Sequence, residues 1–211
     1  MAEPENLRSS EGLGRLIAFA DAVVAIALTL LVLPLVDIAN DLREDDETSV
    51  AEVVSDHSLE ITSFFVSFVV IWVLWRQHHR TMEYFRSYDS VLINLHFVWL
   101  LTIVVLPFAT AIVDDSRVEW GSVLYIGVLA VAVAALVGIG QWGKHHRDLL
   151  VDDEMTDVWV KTSGGWGTVI ALAVALIVAL VDPRSGNWPL LLLFLTDPIE
   201  RLIARVRGTD A

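Results

Sequence analysis

Arg15-Leu-Ile-Ala-Phe19-Ala20-Asp21-Ala-Val-Val-Ala-Ile26-Ala-Leu-Thr29-Leu30 is the stretch that decides the fold class of this chain. It lies in an apolar run from Leu16 to Val36, 21 residues long, in which Asp21 is the only acidic residue. At about 1.5 Å per residue, such a run crosses a hydrocarbon core roughly 30 Å thick. A carboxylate at that depth is a functional hypothesis by default.

Composition points the same way. Apolar residues make up 55% of the 211 positions, the mean hydropathy is +0.60, and the polar residues gather between apolar stretches. The chain is read as an all-α integral membrane protein. Its formal charge of -13 is read as acidic, solvated loops. With no cysteine, disulfides, thiolate metal sites and thiol nucleophiles are excluded. The first run is too long for a signal peptide and lacks a small-residue cleavage pattern, so it is expected to remain as an anchor.

Further apolar stretches give six expected spans in a single domain over 1–211, at about 13–36, 59–78, 90–113, 118–142, 161–181 and 187–205. The loops after odd-numbered spans carry Arg43, Arg117 and Arg184 alone out of 14 lysines and arginines. Both termini are therefore expected in the cytoplasm of a cell-membrane protein. The first outer loop collects Asp37, Asp41, Glu44, Asp45, Asp46, Glu47, Glu52 and Asp56 against Arg43. Near a pore mouth, such a patch enriches cations; otherwise it is a solvated loop. Residues 144–160 read as an interfacial connector to which no chemistry is assigned.

At 100° per residue, Ile26, Thr29, Leu30 and Leu33 fall at about 0°, 300°, 40° and 340°, one stripe roughly 100° wide. Asp21 falls near 220°, on the opposite side. If the stripe lines a pore, Asp21 points into the subunit and holds the helix by hydrogen bonds. If the stripe packs on helices or lipid, Asp21 lines a polar cavity instead. A buried carboxylate needs partners, and Trp72, Trp75, His78, His79, Asn94 and His96 are the polar candidates on later helices. Arg15 is displaced from Asp21 by about 240°, which rules out a standard intrahelical pair, and it is expected to anchor at the interface. His78 and His79 are neighbours in sequence and so do not share a helix face. They are read as interfacial groups, with no metal, cofactor or enzymatic role.

Arg15-xxx-Phe19-Ala20-Asp21, followed by Ala25-Ile26-xx-Thr29, resembles the first-helix signature Arg-xxx-Phe-Ser-Asp of the transmembrane protein 175 family of potassium-permeable channels. Trp75-xx-His78-His79, and Leu92-xx-Leu95 leading to Leu106-Pro107-Phe108, fit the same family in order and spacing. Ala20 stands where the family has serine.

The resemblance implies six helices per subunit, with the first lining a central pore in a homo-tetramer. It implies that Ile26 is the hydrophobic constriction, that Leu30 and Leu33 are further apolar rings, and that Thr29 takes part in selectivity. Arg15, Phe19 and Asp21 would hold this helix in register against helices two and three, with His78, His79 and Asn94 as partners. Potassium, the lipid bilayer and further copies of the chain are the implied partners, with no nucleic acid. No Thr-Val-Gly-Tyr-Gly-like segment is present to build a carbonyl filter, so gating by narrowing and dewetting is expected. The alternative is a proton-coupled secondary transporter that uses Asp21, although such carriers commonly carry internal repeats and broken helices, neither of which is evident here.

Overall fold

The computed structural model describes residues 10–36, 38, 49–113 and 120–162. They form helices α1 (Ser10–Leu30), α2 (Val50–Asp56), α3 (Ser58–Met82), α4 (Ser90–Val113), α5 (Gly121–His145) and α6 (Glu154–Thr162), with a 3-10 turn at Arg147–Leu149. Four helical stretches are long and apolar enough to cross a membrane: Ser10–Val36, Ser58–Met82, Ser90–Val113 and Gly121–His145. The expected fifth and sixth spans lie outside the described residues, apart from residues 161 and 162, which close α6.

Helix ends follow local chemistry. In α2, the Ser49 hydroxyl accepts the Glu52 amide at 3.2 Å, the Ser-x-x-Glu start that pairs an otherwise orphaned first-turn donor. This short helix occupies part of the stretch expected to be an outer loop. It ends at His57, and α3 begins at once, the Ile61 amide bonding back to the His57 carbonyl. At its far end α3 continues one turn beyond the expected boundary, to Met82, because Thr81 and Met82 are buried and no glycine or proline interrupts them. Pro107 sits buried inside α4 without ending it.

α4 and α5 form the most extensive helix pair, and α1 and α3 pack against them. Trp99, Ile103 and Leu106 of α4 meet Tyr125, Ile126 and Leu129 of α5, Ile71 of α3 and Ala20 of α1 in one core. Three hydroxyls in it are linked: Ser67 Oγ lies 3.1 Å from the Tyr125 hydroxyl and 2.9 Å from Thr110 Oγ1, whereas the buried Trp99 indole nitrogen has no hydrogen-bond partner among the described residues. A second core gathers Leu13, Met82, Phe85, Leu92, Ile139, Leu149 and Leu150 at the opposite end of the bundle.

That end is tied by contacts far apart in sequence. The Arg86 amide donates to the Leu149 carbonyl at 2.9 Å, and the Val151 amide to the Tyr84 carbonyl at 2.9 Å, around a lone bridge between Phe85 and Leu150. Tyr84 stacks on Trp159 of α6 at 4.5 Å. The residues read from sequence as a plain connector therefore hold α3, α5 and α6 together. Asp89 does two jobs here: one carboxylate oxygen caps α4 through the Leu92 amide at 2.8 Å, and the other accepts the Trp142 indole of α5 at 2.9 Å.

Asp89→Ala removes both bonds and is expected to cost about 2 kcal/mol, seen as a lower unfolding midpoint in detergent, whereas Asp89→Asn keeps an acceptor and costs less. Asp153 is fully exposed, and its carboxyl is held below the ordinary carboxylate value by the Thr156 backbone and side-chain hydrogen bonds. A lowered folded value means that its capping contribution is complete above the ordinary value of 3.8 and is lost as pH falls through the lower folded one. The Thr156 amide resonance should report that fraying on acidification, and Asp153→Ala should abolish the titration.

Candidate functional site

α1 has two faces. Ala20, Val24, Ala27 and Leu31, spaced by four, three and four residues, are buried against the other helices. Two of the four are alanines, whose small size lets the helix backbones approach closely. Ala20 is fully buried in this seam. On the opposite face Ile26 is 60% exposed, Leu33 55% and Leu30 40%, and Thr29 is exposed as well. The stripe computed from helical spacing is thus the face that the subunit leaves uncovered. Phe19 is also 60% exposed. It lies within about 20° of Ile26 around the helix, so within one subunit it does not supply the packing against helices two and three that the resemblance implied.

Asp21 is half-buried, and it accepts the indole N–H of Trp75 from α3 at 2.8 Å. Hydrogen bonds to charged groups are among the stronger ones. This one joins α1 to α3 at the edge of the buried seam. Trp75 is itself braced, with Trp72 at 4.8 Å and His79 stacked at 5.4 Å. Of the six candidate donors, the structure brings Trp75 to Asp21.

The other candidates go elsewhere. His78 is fully buried, stacked on Trp99 at 4.2 Å and edge-on to His96 at 5.0 Å. His96 Nδ1 lies 2.8 Å from the Leu92 carbonyl. His79 and Asn94 are exposed, so His78 and His79 diverge, as their adjacency requires. Arg15 is exposed and pairs with Glu11 at 2.9 Å, away from Asp21. The sequence does not single out the Asp89 to Trp142 pair, a second carboxylate held by an indole; an aspartate just before an apolar run is the available signal, as a helix cap.

Residues 15–107 match the family model described as endosomal/lysosomal potassium channel TMEM175. Over that region, the chain is similar to the TMEM175 family. Among curated relatives, a potassium channel of Streptomyces collinus is 30% identical over 48% of this chain and 48% of its own length. A potassium channel of Chamaesiphon minutus is 32% identical over 57% of this chain and 61% of its own length. The human endosomal/lysosomal proton channel TMEM175 is 25% identical over 64% of this chain and 27% of its own. The matched region thus spans about half the length of the Streptomyces relative and about a quarter of the human one. The crystal structure of a lysosomal potassium-selective channel TMEM175 homologue from Chamaesiphon minutus superposes with a TM-score of 0.66 at 22% identity, covering 92% of this chain and 98% of that one. That likeness establishes the fold. These TMEM175 relatives are membrane channels and not enzymes.

Trp75→Phe keeps the ring and removes the donor, leaving the Asp21 carboxylate unpaired. Its expected cost is about 1.5–3 kcal/mol, measured as the thermal unfolding midpoint in detergent. Asp21→Asn retains an oxygen acceptor and should cost less than Trp75→Phe.

Proposed function

We propose that this protein is a potassium-permeable cation channel of the cell membrane, in which α1 of four identical subunits surrounds the pore and Ile26 forms a hydrophobic constriction. One observation carries this reading: Ile26, Thr29, Leu30 and Leu33 are exposed together on the face of α1 opposite its buried seam, within the region that matches a channel family. A ring of α1 helices around an axis turns this stripe inward to line a pore, a reading supported by the channel names of the relatives. Leu30 and Leu33 then form further apolar rings outside Ile26, and the Thr29 hydroxyl is the polar group among them.

Such rings gate by narrowing and dewetting, with no exchange of the whole hydration shell for backbone oxygens. Asp21 takes no direct part in permeation: with Trp75 it sets the rotation of α1, so that the aliphatic face meets the axis. Under this reading both termini are cytoplasmic, six helices cross the membrane, and the acidic residues between α1 and α3 concentrate cations at the outer mouth. Potassium is named for the bacterial relatives and protons for the vertebrate ones, so both ions belong in the test.

The test is planar-bilayer recording of purified protein under a potassium-to-sodium gradient. Unitary potassium currents are expected, and Ile26→Ala or Leu30→Ala should raise the unitary conductance by widening and wetting the constriction. Unchanged conductance in both variants contradicts the assigned pore face. Flux that requires a coupled proton gradient, without unitary steps, belongs to the carrier reading that uses Asp21.

A further inference from the structure

The uncharged stretch of α3 is shorter than the hydrocarbon it crosses. Between Glu60 and Arg76 lie 15 residues without a charge, 61–75, which rise about 22 Å against a core of roughly 30 Å. With Glu60 at one boundary, the Arg76 backbone stands about 7 Å inside the other. A guanidinium at that depth is costly unless it extends its stem to the headgroup level and meets an anion there.

The protein supplies no such anion. Among the described residues, Arg76 and Arg80 have neither an ion pair nor a hydrogen bond, and both are exposed. Acidic groups at the same end are engaged elsewhere: Glu11 pairs with Arg15, Glu83 lies 4.0 Å from His79, Asp89 holds Trp142, and Asp157 pairs with Arg147.

The rest of this face has the complementary character. Phe65, Val69, Trp72, Arg76 and Arg80 fall at about 0°, 40°, 340°, 20° and 60° around α3, and the two arginines are about 6 Å apart along its axis. Phe65 is 60% exposed, Trp72 46% and Val69 41%. An apolar wall that ends in a tryptophan and two unpaired guanidiniums matches an acyl chain capped by a phosphate, because tryptophan favours the membrane interface and guanidinium forks bind phosphate oxygens in pairs. A zwitterionic headgroup carries its own cation beside the phosphate. Two arginines therefore favour a lipid with net negative charge.

We propose that Arg76 and Arg80 hold the phosphate of an anionic phospholipid, from the leaflet at the carboxy-terminal end of α3, with its acyl chain along Trp72, Val69 and Phe65. The site does not depend on which helix lines the pore. The Trp72 ring lies 4.8 Å from that of Trp75, so the lipid sits one ring away from the residue that holds Asp21.

Tryptophan fluorescence of the purified full chain in bilayers tests this. Phosphatidylglycerol with brominated acyl chains quenches the indoles it touches, and phosphatidylcholine brominated in the same way is the comparison. The unaltered chain should be quenched preferentially by phosphatidylglycerol, and Trp72→Phe should remove that preferential part. Each arginine contributes about fivefold to the preference, so Arg76→Gln and Arg80→Gln should each lower it by that factor and the double variant should remove it. Equal quenching of the unaltered chain by both lipids overturns the site, and this result stands even if the double variant fails to fold. An equal fall in Arg86→Gln, at the same end but outside the stripe, overturns it in favour of general surface attraction. If Trp72→Phe leaves quenching by both lipids unchanged, the face is covered by another copy of the chain and the proposal fails.

Discussion

The hydrogen bond from the Trp75 indole to the Asp21 carboxylate is the constraint on which the arrangement of α1 depends. An apolar helix among apolar helices has little to choose one rotation over another, because lipid and protein offer side chains of similar polarity. A single carboxylate changes that. It must meet a donor or take up a proton, and the donor it meets stands on α3. With Asp21 turned there, the seam of Ala20, Val24, Ala27 and Leu31 closes on the bundle and Ile26, Thr29, Leu30 and Leu33 are left outside.

The same pairing of carboxylate and indole recurs between Asp89 and Trp142 at the ends of α4 and α5. There it is reinforced by backbone bonds between residues 84–87 and 149–151. Tyr88 of that same connection lies so close to Gly12 that a Cβ there would sit 2.7 Å from its hydroxyl. The amino-terminal end of α1 is therefore held by the loop between α3 and α4, while its middle is held by Trp75. Beyond Leu30, Pro34 releases the helix from regular bonding.

Much of this was legible in the residues. An apolar run of membrane length, an aliphatic stripe at helical spacing and an aspartate on the other side follow from 100° per residue, and the exposed and buried faces of α1 agree with that arithmetic. The choice of Trp75 among six donors was not legible, because it depends on how α3 is rotated against α1. Nor was the sharing of Asp89 between a helix cap and Trp142, whose partners are 53 residues apart. The helical character of 50–56 was hidden by its acidic surroundings, although Ser49 and Glu52 carry a capping pattern. Phe19 belongs to a family motif, yet its place at about 20° from Ile26 already put it on the open face.

Because the chain contains no cysteine, single cysteines can be placed along α1 without background, and block of channel current by a water-soluble thiol reagent reports which positions face the pore. Cysteines at 26, 29, 30 and 33 should each confer block, and those at 20, 24, 27 and 31 should not. Block at the second set, or at neither, would contradict the rotation of α1 that the Asp21 to Trp75 bond imposes.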